Sequence, residues 1–342
     1  MNSDPQSRVT ACVVAHNEEQ TIERCLEALF AQDFGGPVEI LVVDNASTDS
    51  TSEIARNVGA RLTTPDRRFS LVARKVNNLG AGRQTAVEHA TTPMIAFTDA
   101  DCLVPSNWIS SLAAALDENR SKGVVAVGTS NQPPHDGSPF HQAQRLMFSS
   151  LAGNFGSEQV MKGSAHRRDV THLPTCSVLY DRDALTAIGG FANSHRLVCE
   201  DVDVSYRLRA RDARLMKLDT VEVVHHFRPS YRSWSKKIFR YGWGQVQVMR
   251  KIREHRRFKF MLPLLFALSF PVVALLGPNA LLAWVLAYVG SVAALSLWLC
   301  LRDRRLDLFA SMIPLYFITH FSYGAGLLAG AAGWSGGRGP RG

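Results

Sequence analysis

Over the first two-thirds of the chain, short apolar runs alternate with stretches whose apolar residues recur at helical spacing. Val9 to Ala15 is a β-branched run closed by His16-Asn17, and Thr21 to Phe30 carries Ile22, Cys25, Leu26 and Leu29 as a helical stripe. Val38 to Val43 repeats the strand pattern and ends in Asp44-Asn45, after which Ser47-Thr48-Asp49 can cap a helix over Ser50 to Val58. Arg83 to Ala90 reads as a third helix and Met94 to Thr98 as a third buried strand. Pro105 to Leu116 begins with Pro near its first turn and turns Trp108, Ile109 and Leu112 to one side, which makes Trp108 a core residue. Val124 to Gly128 and Thr175 to Tyr180 add strands, and the Pro-, Gly-, His- and Ser-rich stretch Gln132 to Thr171 reads as a mobile loop region. This alternation predicts an α/β fold: a mostly parallel sheet flanked by helices, with right-handed crossovers and a ligand crevice at the carboxyl ends of its strands.

The pattern changes after Phe260, where Leu, Ala, Val, Phe and Gly dominate. Roughly Phe260 to Leu276, Ala280 to Leu301 and Leu308 to Trp334 are each near the ~20 residues that cross a bilayer as a helix, so about three transmembrane helices are expected. Arg250, Lys251, Arg253, Arg256, Arg257 and Lys259 precede the first, uncharged Gly277-Pro278-Asn279 follows it, and Arg302, Arg304 and Arg305 follow the second. Basic loops inside and a neutral turn outside give a multi-pass inner-membrane topology, with Arg338 and Arg341 of the short tail as a mild conflict. The alternative is a re-entrant hairpin, since Pro263, Pro271 and Pro278 interrupt the first pair. The polar N-terminus and the early Glu18-Glu19 do not make a signal peptide, which keeps the preceding part cytoplasmic.

The net charge of +8 is local. Arg228 to Lys259 holds eleven Lys or Arg against Glu254, interleaved with Tyr231, Trp234, Phe239, Tyr241, Trp243 and Phe258. Beside a membrane segment this composition suits an interfacial amphipathic stretch on anionic lipid, and with no nucleic-acid-binding signature beside it, nucleic acid is not expected as a partner. The resulting division is 1–227 catalytic, 228–259 interfacial, 260–334 membrane and 335–342 a flexible tail. The six cysteines show neither a CxxC pair nor zinc spacing and read as buried small hydrophobes of a reducing compartment.

Two acidic pairs carry the chemistry. Thr98-Asp99-Ala100-Asp101 ends a buried strand, where two carboxylates flanking one small residue can share a hard divalent cation and a substrate; Glu200-Asp201 opens a helix about a hundred residues later. For each pair the alternative is helix capping or dipole complementation. Asp203 points to another side of its helix and reads as structural. His225 and His226 follow the apolar run Val221 to Val224 and are either a further metal contact or packed histidines. A nicotinamide-dependent oxidoreductase is excluded, because His16-Asn17-Glu18-Glu19 follows the first strand where G-x-G-x-x-G would be needed, and Gly80-Ala81-Gly82 reads as a structural turn.

Val13-Val14-Ala15-His16-Asn17-Glu18, Leu41-Val42-Val43-Asp44-Asn45-Ala46-Ser47-Thr48-Asp49, Gly80-Ala81-Gly82-Arg83, Thr98-Asp99-Ala100-Asp101 and Gly189-Gly190-Phe191 followed by Glu200-Asp201-Val202-Asp203 come in a fixed order. In that order they resemble family 2 glycosyltransferases of GT-A fold over roughly residues 8 to 225. Tyr241-Gly242-Trp243-Gly244 and the apolar segments with His320 and Tyr323-Gly324 are similar to the membrane-bound subgroup that includes succinoglycan-type glucosyltransferases.

The resemblance implies that Ala15, Asn17, Glu18, Asp44 and Asp99 serve a nucleotide-diphospho sugar, most simply a UDP-sugar: Asp44 at the base, Asn17 and Glu18 along the nucleoside, Asp99 at the ribose or the metal's shell. Asp101, with Asp99, would hold Mg²⁺ or Mn²⁺, which neutralises a departing diphosphate. Arg83 either adds positive charge to that leaving group or lies on a helix surface. Asp201 would be the base of an inverting transfer, with Glu200 positioning the acceptor or the base's loop. Thr175, Cys176 and Tyr180 stand where the family contacts donor or acceptor or, equally, pack a strand, and Cys199 replaces a common polar residue. Gln245-Val-Gln247-Val-Met-Arg250 lacks the Trp of processive synthases, so single-sugar addition is expected. A membrane setting makes a lipid-linked glycan or a glycolipid the expected acceptor. A nucleotidyltransferase and a catalytically silent membrane scaffold of the same fold are the alternatives.

Overall fold

The computed structural model describes residues 8–155, 157, 160, 167–191, 198–227, 229–252 and 262–333. Arg253, Arg256, Arg257 and Lys259 of the expected basic flank, and the expected tail 335–342, lie outside the described residues. The chain divides into two units: residues 1–132, 158–196 and 200–226 form the first, and 133–157, 197–199 and 227–342 the second.

The first unit begins with β1 (Val9–Ala15), α1 (Ile22–Phe30), β2 (Val38–Asn45), α2 (Thr51–Leu62), β3 (Arg67–Arg74), α3 (Leu79–His89) and β4 (Met94–Asp99). It continues through β5 (Cys102–Leu103), α4 (Trp108–Asn119) and β6 (Val124–Gln132). Side chains alternate across β1: Val9, Ala11, Val13 and Ala15 pack with Ile22, Leu26 and Leu29 of α1 and with Trp108 and Leu112 of α4. Cys12 and Val14 pack on the other face with Ala86 and Val87 of α3. A sheet covered on both faces explains why its strands read as continuous apolar runs. Trp108 is fully buried and donates from Nε1 to Ser177 Oγ at 2.8 Å, which fits the core expectation.

The mostly parallel sheet expected from the alternation is a mixed sheet flanked by helices, with antiparallel pairs around β8 (Ser177–Asp181) and at the edge formed by β9 (Arg214–His225). The strand order is β3-β2-β1-β4-β8-β6-β9-β5, and β7 (Arg167–Asp169) pairs with β9. β3, β2, β1 and β4 are parallel to one another and β6 is parallel to β9, whereas β8 runs antiparallel to both β4 and β6. The sequence reading also passes over β3, whose alternating partly buried residues give no continuous run.

In the second unit the stretch expected to be a mobile loop contains α5 (Pro139–Phe148), started by Pro139 in its first turn, and the single-turn α6 (Leu151–Asn154). Helices α7 (Arg182–Ala187) and α8 (Glu200–Arg209) belong to the first unit; α9 (Tyr231–Lys251), α10 (Leu262–Leu275), α11 (Pro278–Arg302) and α12 (Phe309–Ala331) complete the second. Against the three spans expected, two helices among the described residues, Pro278–Arg302 and Leu306–Ala331, are long and apolar enough to cross a membrane. The first expected segment gives the 14-residue α10, interrupted by Pro271.

Helices α9 and α12 lie side by side and parallel. Trp234 Nε1 donates to Thr319 Oγ1 at 2.9 Å, the Ser235 and Ser322 hydroxyls are 2.9 Å apart, and Arg250 donates to the Ala331 carbonyl at 3.0 Å. Between these points the backbones touch: a Cβ on Gly242 would strike the Tyr323 carbonyl, and one on Gly326 the Phe239 carbonyl. Only glycine lets two helix axes approach this closely.

Candidate active site

The site grows from the carboxyl ends of three neighbouring parallel strands. The register sets Val14 of β1 beside Val43 and Asp99, and Ala15 beside Asp44, so the acids at the ends of β2 and β4 flank β1. This is the edge at which open α/β sheets bind ligands.

The loops after β1 and β2 are laced together. Thr48 N and Oγ1 donate to Asn17 Oδ1 at 2.8 and 3.3 Å, Asn17 N donates to Ser47 Oγ at 3.1 Å, and Glu18 N donates to Thr51 Oγ1 at 2.8 Å. Asn17 (φ 56°) and Ala46 (φ 67°) adopt left-handed backbone, natural for Asn but costing on the order of 1 kcal/mol for Ala. Asp44 is buried; Oδ1 accepts from Ser47 N at 2.9 Å and Oδ2 from Ser52 Oγ, which fixes its carboxylate within the loop. Asn17 and Asp44, both expected at the nucleoside, are thus also what shapes its loop.

The two acidic pairs meet at Arg83. Its guanidinium donates to Asp99 Oδ1 at 2.9 Å and pairs with Glu200 Oε1; the Arg83 and Glu200 side chains are each 5% exposed. Helix α8 brings Glu200, Asp201 and Asp203 into its first turn, where its dipole favours negative charge. Asp203 is buried and holds Arg207 Nε at 2.9 Å, while Arg207 donates to the Ile188 and Gly190 carbonyls at the turn of Gly189-Gly190. Asp201 is partly exposed, and His172 Nε2 lies 3.9 Å from its Oδ2. The sequence reading missed His172, since only the chain's path between β7 and β8 brings it there.

Asp101 faces His225. Strand β5 pairs antiparallel with the end of β9, setting Cys102 opposite His225 and placing His225 Nε2 3.1 Å from Asp101 Oδ2. One ligand atom each from Asp101, Cys102 and His225 lies within 4.8 Å of the others. Burial, followed by the Asp101 charge, pushes the Cys102 thiol up, leaving a carboxylate oxygen and an imidazole nitrogen as the ready donors, a set that fits a hard or borderline divalent cation. His225, buried at 3% exposure, thus contacts Asp101, a contact that either expectation for this histidine accommodates. Cys25 is buried among Asp101, Asp99 and Glu18, and after burial itself these charges push its thiol up in that order. Glu18 therefore shares the electrostatic neighbourhood of the Asp99–Asp101 pair.

Thr175 and Cys176 are buried, and Tyr180 is buried too, its phenol pushed up by burial and then by Asp201. Tyr180 stacks edgewise on Phe97, as a packed strand residue does.

Residues 10–189 match the model of Glycosyl transferase family 2. The chain is 30% identical over 267 residues to glycosyltransferase AglE of Haloferax volcanii, covering 77% of this chain and 81% of that one. It is 27% identical over 316 residues to the succinoglycan biosynthesis protein ExoA of Rhizobium meliloti, covering 89% and 90%. Among solved structures, the mannosyltransferase PcManGT from Pyrobaculum calidifontis, in complex with GDP-Man and Mn²⁺, superposes with a TM-score of 0.58 at 22% identity over 92% of this chain and 88% of that one. S. aureus TarS 1–349 with UDP-GlcNAc does so with 0.51 at 16% identity over 95% and 92%. With the sheet order, the acids on its carboxyl edge and a family match across more than half its length, the chain belongs to glycosyl transferase family 2 and has the GT-A fold.

Proposed function

We propose that this glycosyltransferase moves one sugar, with inversion, from a nucleotide-diphospho sugar to a lipid-linked glycan or glycolipid in polysaccharide or cell-envelope synthesis, using Mg²⁺ or Mn²⁺. The observation that carries this reading is Arg83, which joins the acid of the metal motif, Asp99, to the acid beside the proposed base, Glu200. Distant acids become one site. The relatives support it in kind: ExoA belongs to succinoglycan biosynthesis, PcManGT was solved with GDP-Man and Mn²⁺, and TarS with UDP-GlcNAc.

In this reading Asp44, Asn17, Glu18 and Ala15 border the nucleoside and Asp99 the ribose side. Asp101 and His225 would hold the cation, which when bound would supply positive charge to neutralise the departing diphosphate. The acceptor oxygen attacks the anomeric carbon from the face opposite the diphosphate. Asp201 takes its proton, and the electrons of the breaking C–O bond go to the β-phosphate oxygen. A carboxyl group in the first turn of a helix suits that task, and a general base contributes ~10² to 10⁴-fold. Arg83 and Glu200 act through position, holding α8 against the end of β4. A UDP-sugar is the first donor to try. Membrane association, with the catalytic unit on the cytoplasmic side, rests on the apolar α10, α11 and α12.

The test supplies the full chain with UDP- and GDP-sugars, Mn²⁺ or EDTA, and a polyprenyl-diphosphate-linked or a soluble acceptor. Release of nucleoside diphosphate with Mn²⁺-dependent transfer to the lipid-linked acceptor is expected. Release of diphosphate would mean a nucleotidyltransferase, no turnover a scaffold, and equal transfer to the soluble sugar would remove the lipid acceptor.

A further inference from the structure

Helix α9 has two faces of opposite character along its whole length. Trp234, Ile238, Gly242, Gln245 and Val248 are buried on one side, against α12. Arg232, Lys236, Arg240 and Lys251 are exposed, and at 100° per residue all four fall on the side opposite the buried set. From the Trp234–Thr319 bond to the Arg250–Ala331 bond the two helices stay together for roughly 24 Å at 1.5 Å per residue, most of the thickness of a hydrocarbon core.

Helix α11 runs antiparallel along another side of α12: Cys300 meets Met312, and the Tyr288 hydroxyl lies 3.0 Å from His320 Nδ1. α9 thus runs parallel and α11 antiparallel to α12, so the direction of α9 in a membrane follows that of α12. Were these helices to stand along the bilayer normal, the α9 cations would lie at the depth of acyl chains, the costliest position for Lys and Arg. The outward side of α11, with Leu282, Leu286, Val289, Leu297 and Leu301, is exposed and apolar. One edge of this bundle asks for lipid headgroups and the other for acyl chains.

We propose that the second unit lies in the plane of the membrane, inserted into one leaflet without crossing it. The exposed side of α11, with α10, sinks into the acyl layer, and the cationic side of α9 meets anionic phosphate headgroups. The partner is an anionic phospholipid leaflet. Helices packed side by side are ~10 Å apart, so α11, which lies against a different side of α12 from α9, can reach acyl depth while α9 stays among headgroups. Both ends of α11 then lie on the same face of the membrane, the cytoplasmic one. This rests on the membrane association proposed above and replaces three spans by none.

The test uses the full chain in membranes, with a single added cysteine at either end of α11, Asn279→Cys or Asp303→Cys, both exposed positions. Background is low because five of the six native thiols are buried and Cys199 is half-buried. An impermeant maleimide should label both cysteines in inverted vesicles and neither in intact spheroplasts; labelling of Asn279→Cys from the spheroplast side overturns the proposal. As a second measurement, Trp284 and Trp298, roughly 21 Å apart along α11, should be quenched alike by bromolipids brominated at one depth, and unlike depths overturn it. Replacing Lys236 and Arg240 by Gln should weaken binding to phosphatidylglycerol vesicles about 30-fold, since each cation near the surface contributes about fivefold; unchanged binding overturns it. A chain that fails to float with such vesicles at all removes the membrane association itself rather than the in-plane geometry.

Discussion

Arg83 and Glu200 form an ion pair with both side chains 5% exposed, and through Asp99 on its other nitrogen Arg83 fastens α8 to the end of β4. A buried charge that loses its partner is left desolvated and uncompensated. Arg83→Met is therefore expected to lower the unfolding free energy by about 3–5 kcal/mol, and the Arg83→Met, Glu200→Met double variant by less than the two single losses summed. Urea unfolding measures this. Additive losses would mean that the two side chains do not depend on each other.

Asp201→Asn removes a proton acceptor without removing a buried partner, because Asp201 is partly exposed and Glu200, not Asp201, holds Arg83. Turnover should fall by ~10² to 10⁴-fold while donor affinity and unfolding midpoint stay near those of the parent. Glu200→Gln, by contrast, should lose stability as well as turnover. If Asp201→Asn kept parental kcat, another group would be the base.

Asp101→Asn and His225→Ala should each weaken Mn²⁺ binding by at least about tenfold, followed by the manganese EPR signal in the absence of donor. Asp203→Asn serves as the control, since Asp203 is engaged with Arg207. Mn²⁺ binding by His225→Ala at parental strength would leave the imidazole as a hydrogen-bonding neighbour of Asp101 and nothing more.

Asp49 couples the two donor-side loops to pH. Partial burial pushes its carboxyl up, but the Thr51 hydroxyl and the backbone N–H groups of Thr51 and Glu19 outweigh this and hold it below the usual carboxylate range. A carboxyl lowered on folding stabilises the native state above its unfolded value, ~3.9, and loses that contribution as pH falls through the lower folded value. Asp49→Asn should accordingly melt below the parent at pH 7, with the gap closing as the pH is taken under about 4. A gap that widened in acid would refute this account of the loop.

Much of the catalytic unit was legible because its signals are local. β1, β2 and β4 are continuous apolar runs since both sheet faces are covered, and Thr98 to Asp101 announces its place by ending one of them. Where burial is partial, as in β3, the run dissolves and the strand goes unseen. The antiparallel insertion of β8 between β4 and β6 was illegible for a different reason: a strand's own residues do not state the direction of its neighbour.

The site shows the same division. Asp99, Asp101, Glu200 and Asp201 could be picked out from their spacing and their position at element ends, but Arg83 read equally well as a leaving-group cation or a surface residue, and His225 as ligand or filler. Their partners come from other parts of the chain, and only the register of β5 on β9 and the approach of α8 to α3 supply them. In α9 the basic and aromatic composition was plain, whereas the burial of its apolar side by α12 was not, because periodicity tells which face is apolar and not what covers it. The sequence by itself determined the strands that are continuous apolar runs, the helices with a clear apolar stripe and which acids stand at their ends, all consequences of the local geometry of backbone and side chain. Tertiary structure alone decided which charges meet, since an ion pair between distant residues depends on how the sheet closes and on the desolvation that closure imposes.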